Sequence, residues 1–159
     1  IKRDLVSTRH EQVFRLEAYD IAHLSGTNMV GVMTVVENAV ANKNEYRKFT
    51  IKGFDKANDA GALREVLTRR LAHTEWSYPN AIIVDGNAIQ VNAAESVLKD
   101  LALNIPIIAV TKDERHRPKS VSGPQELIEQ NKYAILLANA ESHRFALTFH
   151  KVRRSKAML

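Results

Sequence analysis

Two short runs constrain this chain more than anything else in it. Ala81–Asp85 (AIIVD) is wholly apolar until its acid, and Pro106–Thr111 (PIIAVT) is apolar until its last residue. A strand without a polar face is covered on both sides, and such strands are characteristically parallel and central, with helices packed on the sheet. Parallel neighbours need a long crossover. Here it is a helix over about Ile89–Leu101, with Val91, Ala94, Val97, Leu98 and Leu101 turned inward. An α/β fold is therefore expected.

The remaining elements fall into place around that pair. From Val13 to Ile21 the residues Phe14, Leu16 and Ala18 alternate with Arg15, Glu17 and Tyr19, the period of a strand. Met29–Glu37, β-branched and apolar, pairs back on it as a hairpin after the Ser25–Asn28 turn. A polar turn over 38–44 leads to a third strand, Glu45–Ile51, whose Lys and Arg suit an edge that must not aggregate. Gly53–Ala60 is loop, with Asn58 or Asp59 capping a helix whose Leu63, Val66, Leu67 and Leu71 form one apolar stripe. Residues 112–124 read as a basic loop containing Pro and Gly, and a last helix covers about 131–151. The order β-β-β-α-β-α-β-α, with right-handed crossovers, gives a mixed five-stranded sheet flanked by helices. Residues 1–12 are a flexible lead-in, and 13–156 form a single domain.

Composition narrows the partners. At 159 residues, 45% hydrophobic and 26% charged, the chain has the makings of one globular core. No apolar run nears the ~20 residues that span a bilayer. The first residues, IKRDLVSTRH, lack the apolar segment of a signal peptide. A cytoplasmic protein with no membrane partner is expected. The absence of cysteine excludes disulfides and thiolate metal sites. A net charge of +5 points to a polyanionic partner. Aromatic residues are only 6%, which argues against recognition by base stacking. No P-loop and no G-x-G-x-x-G is present, which argues against nucleotide cofactors.

The chemistry centres on Asp20, which continues the Phe14–Leu16–Ala18 face where the first strand ends. If that strand runs parallel beside Ala81–Asp85, the two are about 4.8 Å apart. Asp20 and Asp85 then end neighbouring strands in the same direction and face one another. Two converging carboxylates suit Mg²⁺ or Mn²⁺, which prefer oxygen ligands and keep positions open for water and phosphate. Each acid alone reads equally as a turn residue, Asp20 before Ser-Gly-Thr-Asn and Asp85 before Gly86. His143 lies in AESHRFALTFHKVRRSK. On a helix it shares a side with Leu147, His150 and Arg154, while Phe145, Phe149 and Val152 form an apolar stripe. It is open there to three readings: metal ligand, proton shuttle or surface histidine. His10, His73 and His116 read as surface. Lys112, Arg115, Arg117 and Lys119 form one basic cluster, and the stretch from Arg144 to Lys156 has five Lys/Arg and no acid. Both suit contacts to a phosphate backbone.

The runs YDIAHLSGTN, EYRKFTI, LREVLTRRL, IIVDGNAIQVNAA and ESHRFALTFHKVRRSK, in this order, resemble the C-terminal nuclease region of the UvrC family. The resemblance spans about residues 13 to 156. It implies an RNase H-like fold and a divalent-metal endonuclease of nucleotide excision repair, incising on the 5′ side of a lesion in double-stranded damaged DNA. By it the catalytic and metal-ligating aspartates fall on Asp20 and Asp85 and the histidine on His143, with Mg²⁺ or Mn²⁺ as cofactor. Lys112, Arg144, Arg153 and Arg154 would then position the DNA backbone. Where the family reads D-G-G-K-G-Q, this chain has Asp85-Gly86-Asn87-Ala88-Ile89-Gln90, without the lysine and two glycines. Its D-E-A-H becomes Ala140-Glu141-Ser142-His143. The family's other nuclease module, partner-binding segment and helix-hairpin-helix tail have no counterpart here. Contact with a UvrB-like helicase subunit would be made by such regions, and dual incision is not expected of this domain alone. The alternative expectation is a non-catalytic nucleic-acid-binding domain on the same fold.

Overall fold

The two apolar runs lie side by side within the sheet, as parallel neighbours. A computed structural model of the chain describes residues 12–24, 28–52, 58–115 and 117–158, the side chains from 150 onward excepted. In chain order the elements are β1 (Arg15–His23), β2 (Met29–Glu37), β3 (Val40–Ala41), a 3-10 turn (Lys43–Glu45), β4 (Arg47–Thr50), α1 (Asp59–Leu71), β5 (Ala81–Asp85), α2 (Ala88–Asp100), β6 (Ile107–Lys112), β7 (Pro118–Ser122) and α3 (Gln125–Met158). The strands run in the order β3-β2-β1-β5-β6-β7, with β4 also paired to β2. β1 is antiparallel to β2 and parallel to β5.

Helices cover both faces. On one, Leu63, Val66, Leu67 and Leu71 of α1 and Ala94, Val97 and Leu98 of α2 pack on Tyr19, Met33, Ile82 and Val84. On the other, Ile128, Ile135 and Ala138 of α3 pack on Leu16, Ala18, Ala81, Ile83, Ile108 and Val110. Side chains of this size stabilise by roughly 1.5–3 kcal/mol each when fully buried. α1 comes so close to the sheet that a Cβ on Gly31 would lie 2.2 Å from Val66 Cγ2. Asn58 caps α1, accepting from the Gly61 N–H at 2.9 Å.

Five expectations are corrected. Among the described residues the sheet has seven strands, not five. β3 follows a two-residue hairpin turn, Asn38 and Ala39, both with positive φ (51° and 66°). That is the geometry of a I′ turn, which matches strand twist. β7 lies inside the expected 112–124 loop. It is an exposed edge strand with only Val121 partly covered, so no apolar alternation announces it. α3 begins at Gln125 rather than 131, because Asn131 is non-helical (φ −132°, ψ 22°) and interrupts the apolar period between two helical stretches. Leu101, expected inward, is 42% exposed at the end of α2.

β1 also buries charge. Glu17 is fully buried and accepts from Arg15 Nε at 2.8 Å, Arg70 Nη2 at 2.8 Å and Nε at 2.9 Å, and Tyr19 Oη at 2.5 Å. One carboxylate between two guanidiniums, with its lone pairs occupied, is the arrangement in which a buried ion tolerates desolvation.

Candidate active site where β1 and β5 part

The β1–β5 register runs Leu16↔Ala81 to Tyr19↔Val84, so the next step brings Asp20 level with Asp85. β5 ends there, whereas β1, expected to end at Asp20, leaves β5 and runs on to His23 paired with β2. Strand alternation puts both acids on the face that carries Leu16, Ala18, Ala81 and Ile83, the face covered by α3. α3 brings in His143, whose Nδ1 stands 3.4 Å from Asp20 Oδ2. The Ile21 N–H donates to Asp20 Oδ1 at 2.9 Å. Burial, and then the charge of Asp85, push the Asp20 carboxyl up from 3.8 to about 6, against the opposing pull of the Ile21 N–H and His143. The expected trio is therefore assembled at one end of the sheet.

Asp85 is held differently. Its Oδ1 is buried and accepts no hydrogen bond, yet it lies 3.2 Å from Lys112 Nζ. The contact is a close ion pair whose direction misses hydrogen-bond geometry. Lys112 is thus already engaged with an acid of the site. After Asp85 the chain turns through Gly86 at φ 133° into α2. Asn87 has an ordinary negative φ and caps that helix, its side chain accepting from the Ile89 N–H at 3.0 Å. The altered segment therefore forms a regular capped helix start, and the missing lysine leaves Asp85 with Lys112 as its cation.

A third acid joins them. A cavity of about 60 Å³ is lined by Asp20, Asp85 and Asp59, with Tyr19, Val84 and Gln90. Asp59 is paired with His23 Nε2 at 2.6 Å. From sequence, Asp59 is only one of two capping candidates. The signal that could have found it is an acid left over in the first turn once Asn58 takes the cap.

The remaining expected contacts are dispersed. Arg144 turns its fork onto Glu141, at 2.7 and 2.9 Å, and Tyr46 Oη donates to the same carboxylate at 2.7 Å. The Arg144 fork holds Glu141 down to about 2, with Tyr46 assisting. Arg117 pairs with Asp113 at 3.1 Å. The side chains of Arg153, Arg154, His150 and Val152 lie outside the described residues, as do His10 and His116. His73 is half-exposed and stacks on Trp76 at 4.1 Å.

Among the described residues, no three His, Asp or Glu side chains gather into a group that could hold a metal ion. The pair Asp20 and Asp85 nevertheless suits a hard divalent cation. Both donors are carboxylate oxygens, one buried oxygen takes no hydrogen bond, and their mutual repulsion is what a cation would relieve. No described helix is long and apolar enough to cross a membrane.

A mixed sheet with helices on both faces and paired acids on adjacent parallel strands defines an RNase H-like α/β domain. The catalytic domain of human endonuclease V shares that fold, with a TM-score of 0.57 over 99% of this chain and 96% of that one, at 10% identity. A family model described as the UvrC RNase H endonuclease domain matches residues 6–153. UvrABC system protein C of Caldicellulosiruptor saccharolyticus is 36% identical over 161 residues, covering 97% of this chain and 27% of that protein. The Malacoplasma penetrans protein of the same name is 39% identical over 159 residues, covering 93% and 27%. The chain belongs to the UvrC RNase H endonuclease domain family, and spans 27% of the length of each of these relatives.

Proposed function

We propose that this domain is a divalent-metal DNA endonuclease of nucleotide excision repair, cutting the phosphodiester on the 5′ side of a lesion in double-stranded DNA. The observation that carries the reading is the convergence of Asp20 and Asp85 on adjacent parallel strands, close enough that one raises the other's pKa. Asp20 would be the principal ligand of Mg²⁺ or Mn²⁺, and Asp85 the second ligand or the group that positions water. When bound, such an ion supplies Lewis-acid polarisation of the phosphoryl oxygen and neutralises developing charge. His143, its Nδ1 beside Asp20, would complete the site as a ligand or as general acid/base. Asp59 adds negative charge to the same cavity while pairing with His23.

Lys112 beside Asp85 would neutralise that acid until an ion or phosphate takes over, and the basic residues Arg144, Arg153 and Arg154 follow His143 on the helix that approaches the site. The net charge of +5 supports a nucleic-acid partner. Docking to a UvrB-like helicase subunit would use regions outside these residues, and the working compartment would be the cytoplasm.

The test is nicking of supercoiled plasmid or lesion-bearing duplex by the full chain with Mg²⁺ or Mn²⁺, comparing wild type with Asp20→Asn. Loss of nicking in the variant is expected. Equal nicking by both proteins would sink the assignment. Salt-dependent DNA binding with no metal-dependent cleavage, even when the domain is joined to the rest of a repair protein, would favour a non-catalytic binding role.

A further inference from the structure

Beside the acids lies a second hollow of a different character. It has a volume of about 270 Å³ and is bounded by Asp20, Ala22, His23, His143, Ala146 and Leu147. Its floor is the small apolar cluster in which Ala22 of β1 meets Ala146 of α3, both nearly buried, with Val30 and Val32 behind them. Two alanines facing each other leave room that larger side chains would fill. On its rim Leu147 is 39% exposed, a large apolar side chain left to solvent at a site where something can cover it. His23 and His143 also border it, each ring held by a carboxylate, Asp59 and Asp20 respectively.

Asp20 and Ile21 line both this cleft and the polar cavity shared with Asp85. A phosphodiester held at the acids would therefore bring its adjoining nucleoside to the cleft. Resting on the endonuclease reading above, we infer that the Ala22–Ala146–Leu147 cleft seats the sugar and base of the nucleotide next to the scissile phosphate. The occupant is chosen by contiguity and chemistry. It must be tethered to a phosphate at Asp20, apolar enough to cover Ala146 and Leu147, and flat enough to lie against imidazole rings, which serve as stacking surfaces for bases. A nucleoside meets all three conditions. The cleft thus adds a hold on the substrate that a cation at the acids would not supply, since the cation would meet only the phosphate.

The experiment uses the full chain with labelled methyl groups, titrated with deoxyadenosine 5′-monophosphate in Mg²⁺ and, separately, with inorganic phosphate at the same concentrations. The nucleotide is expected to shift the Ala22, Ala146 and Leu147 methyl signals saturably, and inorganic phosphate to leave them in place. Ala146→Leu, which fills the cleft, is expected to weaken nucleotide binding roughly tenfold, the scale of one lost base-stacking contact. Should that variant fail to fold, Leu147→Ala on the exposed rim is expected to weaken it severalfold. Methyl signals that do not move, or that move equally with inorganic phosphate, overturn the inference. So does an Ala146→Leu protein that is folded and binds the nucleotide as wild type does. If nicking survives Asp20→Asn, the endonuclease reading falls; if nicking is lost while the methyls stay still, the cleft alone falls.

Discussion

Replacing Asp20 by Asn should make this protein more stable at neutral pH while removing the proposed cutting activity. The side chain is 17% exposed, and its carboxyl is raised from 3.8 to about 6, chiefly by burial and then by Asp85. Between these two values the folded chain holds a proton that the unfolded chain has lost, so stability falls as pH rises from about 4 to about 6. At one pKa unit per ~1.4 kcal/mol, the ionised carboxylate costs about 3 kcal/mol at pH 7. Near pH 4 the cost shrinks to below about 1 kcal/mol, because the folded carboxyl is then protonated and the unfolded one is only about half ionised. An Asn of nearly the same shape keeps an oxygen for the Ile21 N–H and carries no charge to repel Asp85. Urea unfolding at pH 7 and pH 4, with EDTA present, reads the difference. The expected result is an Asn variant more stable by up to about 3 kcal/mol at pH 7, with the gap closing at pH 4. A variant less stable at pH 7, or a gap that does not change with pH, would refute the claim that Asp20 sits in a desolvated, anionic site. Mg²⁺ or Mn²⁺ should narrow the same gap from the other side, by stabilising wild type and not the variant.

Elsewhere, Glu17→Gln should leave Arg15 and Arg70 facing a neutral amide in the interior. Removing one partner from a buried ion cluster costs about 3–5 kcal/mol. With a urea slope of about 1–3 kcal/mol per molar, the midpoint should fall by roughly 2 M. A shift below roughly 0.5 M would mean that solvent reaches the cluster and screens it. Gly86→Ala should lose about 1–3 kcal/mol through its φ of 133°, and its Cβ would also lie 2.7 Å from Gln90 Cγ. Shortening that neighbour with Gln90→Ala should recover only the steric part. Full recovery would show that the backbone angle carries no strain.

Much of this architecture is legible before any coordinates. Apolar runs without a polar face announce β5 and β6 as parallel and interior, and the i, i+3, i+4 stripe of α1 is buried at every expected position. Asp20 and Asp85 can be paired from strand order alone, because parallel neighbours bring their carboxyl ends to the same edge. β3 and β7 escaped because neither carries an apolar period. One is two residues long, and the other is an exposed edge paired, among the described residues, to β6 alone. The early start of α3 escaped for a related reason, since the break at Asn131 resets the phase of its buried face.

The tertiary structure decided what sequence spacing does not encode. It placed Lys112 on Asp85, Arg144 on Glu141 and Asp59 in the acids' cavity. It also turned the charged side of β1 inward, where Arg70 from a distant helix meets Glu17. Periodicity reports which face of an element is apolar, and strand order reports which ends meet. The partner of an individual charge depends on approaches between elements remote in the chain, so only the packed fold determines it. The same holds for Asp20. Its place on the strand face shared with Leu16 and Ala18 is a property of the sequence, and its raised pKa is a property of the burial and the neighbouring acid that folding brings to it.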